Sequence, residues 1–175
     1  MNLKAISPGK SFPDDFNVII EIAANSPPIK FEIDKDSGAI ALDRFLSTPM
    51  FYPTNYGFVP NTLSGDGDPC DVLLITPYPL FPGLLVRSRA IGLLDMEDES
   101  GLDRKIIAVP ITKLYPSYQN IQTLSDLPET LLQQIHYFFE HYKDLEPGKW
   151  VKVRNWDGIE EAKKELEKGV QNFKG

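Results

Sequence analysis

"FNVIIEIAANSPPIKFEIDKDSGAIALDRF", residues 16–45, holds three short runs rich in β-branched and aromatic residues, cut by "ANSPP" and by the turn "DSG". The runs 16–23, 29–35 and 39–45 predict strands, and the turn joins the last two as a hairpin. Within "IKFEIDK", alternation sets Lys30, Glu32 and Asp34 on one face and Phe31 and Ile33 on the other. An outward polar face is the ordinary reading of such a pattern. In a barrel the same face lines a polar cavity.

Working outward, the β-rich character continues. After "NYGFVPNTL" come "CDVLLIT" (70–76), "LLVRSRAIGLLDM" (84–96) and "RKIIAVPI" (104–111), all predicted strands. Many short strands at close spacing favour a small barrel or sandwich over a parallel α/β sheet. Helices come late. Asp126 with Glu129 has the spacing of a capping box, and Pro128 suits a first helical turn. Leu127, Leu131, Ile135, Phe138, Phe139 and Tyr142 then share one helical face, and the helix is expected to stop near "LEPGK". A strand "WVKVRNW" follows, and Asp157 with Glu160 opens a last amphipathic helix from Ile159 to about Phe173. The expected fold class is α+β with a mainly β core and flanking helices, in one domain over residues 1–175.

The chain of 175 residues carries a formal net charge of −7, so its summed field repels phosphate backbones and anionic membranes. An anionic ligand then needs a local set of basic groups or metal ions. One cysteine, Cys70, excludes an internal disulfide, and two histidines offer no zinc framework. The N-terminus lacks the apolar core of a signal peptide, and no apolar run reaches the roughly 18 residues of a membrane span. A cytoplasmic protein with no membrane or nucleic-acid partner is expected.

"SGDGDPCDVLLITPYPL" (64–80) crowds Asp66, Asp68 and Asp71 into six positions. A plain turn explains "GDGDP", but Asp71 leads directly into a strand, where aspartate is disfavoured. An EF-hand loop counted from Asp66 places Asp71 at the glycine position and Pro77 at the twelfth, so that reading fails. A D-x-D nucleotide-sugar site lacks the βαβ pattern that holds a nucleotide. What remains is an oxygen-ligand site for more than one hard cation, Mg²⁺ or Mn²⁺, of the kind that activates water and clamps phosphoryl oxygens. "DMEDESGLDRK" adds Asp98, Glu99 and Asp103, which by default read as a solvated acidic loop. Arg44, Lys105 and Lys143 are candidate counter-charges, although each alone reads as a surface residue.

"DGDPCDVL", with "PIKFEIDKDSGAIALDRF", "FYPTNYGFVPNTL", "EDESGLDRK" and "FFEHYKDLEPGKWVKV", resembles the soluble inorganic pyrophosphatases of the bacterial type (family I). The likeness covers almost the whole chain, in matching order and spacing. It implies a closed five-stranded OB-like β-barrel with flanking helices, a homohexamer, and Mg²⁺-dependent hydrolysis of diphosphate to two orthophosphates. By the same resemblance Asp66, Asp71 and Asp103 hold the metals that activate water, and Asp68 accepts the proton of that water. Asp98 and Glu32 meet metals arriving with substrate, and Glu21 and Glu99 are accessory carboxylates. Lys30, Arg44, Tyr56, Lys105, Tyr142 and Lys143 bind phosphate, Lys30 and Tyr56 on the attacked group and Arg44, Tyr142 and Lys143 on the leaving one. Tyr52 stands beside the cavity. Phe58 replaces a common tyrosine, and Cys70 a common aliphatic residue.

Other residues read more plainly. Cys70 lies among carboxylates, which raise a thiol pKa and suit a small strand residue better than a nucleophile. His136 and His141 read as surface residues of a helix, and Trp150 and Trp156 as packing around the last strand. The rival from another class is a non-catalytic OB-fold nucleic-acid binder, which calls for a basic groove with stacking aromatics. The acidic charge balance speaks against it.

Overall fold

The computed structural model describes residues 1–174. Eight strands come in the order β1 (Phe16–Ile22), β2 (Ile29–Ile33), β3 (Ile40–Phe45), β4 (Asn55–Phe58), β5 (Asp71–Leu74), β6 (Leu85–Asp98), β7 (Gly101–Pro110) and β8 (Val151–Asp157). Helix α1 (Glu129–His141) precedes β8, and α2 (Ile159–Lys174) follows it. The mainly β architecture with two flanking α-helices is the one expected from the alternating runs.

Six strands form one sheet in the order β1-β4-β5-β7-β6-β8, and β1 also pairs with β6 along its other edge. The pairings therefore run in a ring, β1–β4–β5–β7–β6–β1, with β8 attached outside it on β6. All are antiparallel except β5 with β7, which sets Asp71 directly beside Lys105. The hairpin β2–β3 forms a separate two-stranded sheet.

The pleat divides the core. Val72, Leu74, Ile106 and Ala108 point to one side, where they pack with Phe16, Val18, Ile20, Leu93 and the buried face of α2, Ala162 and Leu166. Leu73, Ile107 and Val109 point to the other side and meet α1 through Ile135, Phe138 and Phe139. Each of the buried Val, Leu, Ile and Phe side chains among these contributes about 1.5–3 kcal/mol relative to exposure. The same pleat turns Asp71, Asp103 and Lys105 toward the α1 side, just beyond the apolar cluster.

Two local expectations are corrected. The capping box ahead of α1 is formed by Thr123 and Asp126 and caps a 3-10 turn at 124–126, while Pro128 stands at the N-cap of α1. The Asp126 carboxylate accepts from the amides of Gln122 and Thr123 at 2.9 and 2.8 Å, so it is committed before the helix begins. Strand β7 starts at Gly101, three residues before the expected 104, because the acidic stretch continues the β6–β7 ladder to Asp98 opposite Gly101. Gly101, at φ +124°, makes the tight reversal.

Candidate active site

The floor of the site is built by β4, β5 and β7. Lys105 is 4 % exposed, and its Nζ donates to Asp71 Oδ2 and Asp103 Oδ1 at 2.5 Å each and to Tyr56 Oη at 3.2 Å. Burial alone pushes a lysine pKa down. The carboxylates of Asp103 and Asp71 outweigh it and hold Lys105 well above its ordinary value. Burial pushes the hydroxyls of Tyr56 and Tyr142 up, so both remain neutral donors.

Above the floor, the loop 64–70 brings Asp66 and Asp68 over β5. Gly67 takes φ +92°, and the Asp68 amide donates to Asp66 Oδ1 at 3.0 Å. Burial raises the Asp66 carboxyl. Asp68 is open to solvent, and its Oδ1 lies 2.8 Å from Lys35 Nζ.

On one flank, the end of α1 delivers Lys143, whose Nζ sits 2.7 Å from Asp98 Oδ2 and 3.5 Å from Glu99 Oε1. Burial opposes ionisation of Glu99, yet Lys149, 2.9 Å away, and Lys143 together depress its carboxyl to about 2. On the other flank, the β2–β3 register sets Lys30 opposite Arg44. Lys30 Nζ lies 2.5 Å from Glu32 and 3.2 Å from Asp43, and Arg44 lies between Asp43 at 3.2 Å and Glu146 at 3.5 Å.

These elements enclose a cavity of about 310 Å³ whose lining includes Asp66, Asp68, Asp71, Asp98, Glu99 and Asp103 together with Lys30, Arg44, Tyr56, Lys105, Tyr142 and Lys143. Glu21 and Glu32 line a smaller adjoining cavity of about 100 Å³, which shares Lys30, Tyr56, Asp68 and Asp71 with the first. Glu21 accepts from the Ile33 amide at 2.8 Å, and burial pushes its carboxyl up to about 7. Tyr52 is buried behind the wall, its ring 6.2 Å from Tyr56 and 4.8 Å from Phe138. Of the candidates named from the sequence, twelve line the large cavity, two the small one, and Tyr52 lines neither.

A family profile described as inorganic pyrophosphatase matches residues 18–174. The chain belongs to the inorganic pyrophosphatase family. The inorganic pyrophosphatase of Ralstonia nicotianae is 58% identical over 174 residues, spanning 99% of each chain. That of Aquifex pyrophilus is 55% identical over 174 residues, spanning 99% of this chain and 98% of the other. Among solved structures, an inorganic pyrophosphatase from Coxiella burnetii superposes with a TM-score of 0.93 at 54% identity, covering 96% of this chain and 99% of the other. That from Thermus thermophilus gives 0.93 at 44% identity over the full length of both.

The donor set suits hard cations, in keeping with a metal-dependent family. The polar lining of the two cavities consists of carboxylate, hydroxyl, ammonium and guanidinium groups, with neither of the histidines nor the cysteine among them. Among the described residues, no three side chains of the His, Cys, Asp and Glu types converge as a ready chelate. Lys105 Nζ stands between one oxygen of Asp71 and one of Asp103. The ammonium thus marks a point where cationic charge is stabilised.

Sequence reasoning missed Asp43, Glu146, Lys149 and Lys35, each of which pairs with a candidate residue. Asp43 adjoins Arg44 in the sequence, which was a usable signal. The other three are brought in by tertiary contacts that spacing does not encode. Cys70 is buried, and burial pushes its thiol up to about 12, which fits the structural role expected of it.

Proposed function

We propose that this chain hydrolyses inorganic diphosphate to two orthophosphates with Mg²⁺, for which Mn²⁺ can substitute. The observation that carries the reading is the interleaving of six carboxylates and five basic side chains around one cavity of about 310 Å³. A site for an organic anion needs only the basic groups, and a site for a bare cation only the acids. Metal-bound diphosphate needs both.

Asp66, Asp71 and Asp103 would hold the cations nearest the nucleophile, and Glu32 and Asp98 those bound with substrate. Glu21, from the lining of the smaller cavity, and Glu99, from that of the larger, serve as accessory carboxylates. Bound there, the metal supplies charge stabilisation and a water of lowered pKa. Asp68, open to the cavity and to solvent, accepts the proton of the attacking water. Lys30 and Tyr56 face the attacked phosphate, while Arg44, Tyr142 and Lys143 meet charge developing on the leaving one. Lys105 and Lys143 turn from carboxylate to phosphoryl oxygen as the ligand enters, so the charged groups exchange partners without any being left bare. Tyr52 packs behind Tyr56 and fixes its ring.

Orthophosphate release from diphosphate, with Mg²⁺ and again in excess EDTA, tests the reading. Activity that EDTA abolishes is expected, and full activity in EDTA refutes the metal-assisted mechanism. ATP as the sole substrate should be turned over far more slowly.

We also read the ring of pairings through β1, β4, β5, β7 and β6 as a closed five-stranded OB-like barrel, and residues 1–175 as one domain. No described helix is long and apolar enough to cross a membrane, and the lone thiol of Cys70 suits the cytoplasm, the compartment we propose. Phe45, Phe81 and Tyr137 are 67%, 84% and 61% exposed, apolar surface of the kind that subunit contacts cover. A homohexamer is the assembly we expect, with α1 as one contact surface. Light scattering reads it directly, and a stable monomer at micromolar concentration refutes it.

A further inference from the structure

Away from the cavity, on the opposite side of the sheet, the structure buries another carboxylate. Glu165 of α2 is 5% exposed and lies between Ala162 and Leu166 on the face packed into the core. A buried carboxylate is expensive unless its oxygens are paired and hydrogen-bonded. Its two oxygens have different partners. Oε2 pairs with Arg104 Nη1 at 3.1 Å, and Arg104 Nε in turn donates to Asp95 Oδ1 at 3.0 Å. Oε1 accepts from the Ser64 hydroxyl at 2.9 Å. The first contact suffices to fasten α2 to the sheet. The second reaches the root of the aspartate loop.

Ser64 commits its other polar groups to that loop. Its amide donates to the Asp68 carbonyl at 2.6 Å, and its carbonyl accepts from the Gly67 amide at 3.2 Å. The loop beyond has little to lean on, since a Cβ placed on Gly65 or Gly67 would meet no atom within 4 Å. Below Ser64, α2 closes tightly. The Leu63 amide donates to the Gly169 carbonyl at 2.9 Å, and a Cβ at Gly169 would come within 2.3 Å of Cys70 Sγ. Arg104 sits between Asp103 and Lys105, turned by the pleat to the far side of β7. One side chain is therefore tied to the strand that carries Asp103 and to the loop that carries Asp66 and Asp68.

We propose that Glu165 is a positioning residue, which through Ser64 and Arg104 holds the aspartate loop in register with β7 so that carboxylates from both converge on the cations. The inference rests on the reading of the cavity as a metal site. It differs from a purely structural role for Glu165, which predicts altered stability and unaltered cation affinity.

The experiment uses the full chain and measures Mn²⁺ binding without diphosphate, from the EPR signal of free Mn²⁺, for the parent protein, Ser64→Ala and Ser64→Thr. Ser64→Ala should weaken Mn²⁺ binding about tenfold, the lower end of what contacts behind metal ligands contribute. Ser64→Thr, which restores the hydroxyl, should recover most of that loss. Hydrogen exchange at the Gly67 and Asp68 amides should quicken in the alanine variant alone. Glu165→Ala should weaken binding as well, and adding Ser64→Ala to it should cause no further loss. Should Glu165→Ala fail to fold, the alanine and threonine variants at Ser64 decide the matter. Parent-like Mn²⁺ affinity in Ser64→Ala, or a threonine variant no better than alanine, overturns the role of Glu165. A parent protein that binds no Mn²⁺ overturns the metal reading itself.

Discussion

Asp68→Asn is expected to lower kcat by roughly 10²–10⁴, the range a positioned general base supplies, and added Mg²⁺ is not expected to restore it. The substitution keeps the side-chain shape and one oxygen but removes the capacity to take a proton from water. The Asp68 side chain is 68% exposed and its partner Lys35 is 56% exposed, a kind of pair that contributes about 0–1 kcal/mol. The thermal midpoint should therefore hardly move. Asp71→Asn is the contrasting case. The Asp71 side chain is 17% exposed and shares Lys105 with Asp103, at the point where cationic charge gathers. Its loss should first raise the Mg²⁺ concentration needed for half-maximal activity, and high Mg²⁺ should then recover part of the rate. A Mg²⁺ titration of kcat for both variants separates the roles. Equal rescue of the two would make Asp68 another ligand, and the proton would need a different acceptor.

The contrast between these two aspartates shows what the sequence could and could not convey. Strands β1, β3 and β5 were legible because apolar side chains recur with period two, or run on through a buried strand, between unmistakable turn residues. Helix α1 was legible because its apolar face is continuous from Leu131 to Phe139. The stretch 95–105 was harder. Its acids read as a solvated loop, yet the ladder between β6 and β7 runs through it and aims Asp98 and Asp103 at the cavity. A charged residue in a strand obeys the pleat as an apolar one does, but composition alone hides it. The pairing of lysines was harder still. Lys105 and Lys143 were expected on phosphate, whereas the structure rests them on Asp71, Asp103 and Asp98. Resemblance transfers a residue's part in a liganded site. Coulombic attraction decides where an ammonium rests without the ligand.

Lys105→Met should accordingly lower stability sharply in the absence of divalent cations. The side chain is 4% exposed, and its removal leaves Asp71 and Asp103 facing each other without their shared counter-charge. Breaking one partner out of a buried ion pair is destabilising by about 3–5 kcal/mol. For a chain of this size that lowers the thermal midpoint by roughly 6–20 °C. Met retains most of the apolar stem, so the loss reports charge more than packing. Mg²⁺ should then stabilise the variant more than the parent, because in the parent the cation must first displace an ammonium from the same oxygens. The measurement is the thermal midpoint of both proteins in EDTA and in saturating Mg²⁺, at one protein concentration so that assembly does not intrude. A midpoint for Lys105→Met in EDTA within about 2 °C of the parent would correspond to less than about 1 kcal/mol and deny the pair its structural weight. Equal stabilisation of both proteins by Mg²⁺ would show that lysine and metal do not compete, and the proposed exchange of partners on ligand entry would fall with it.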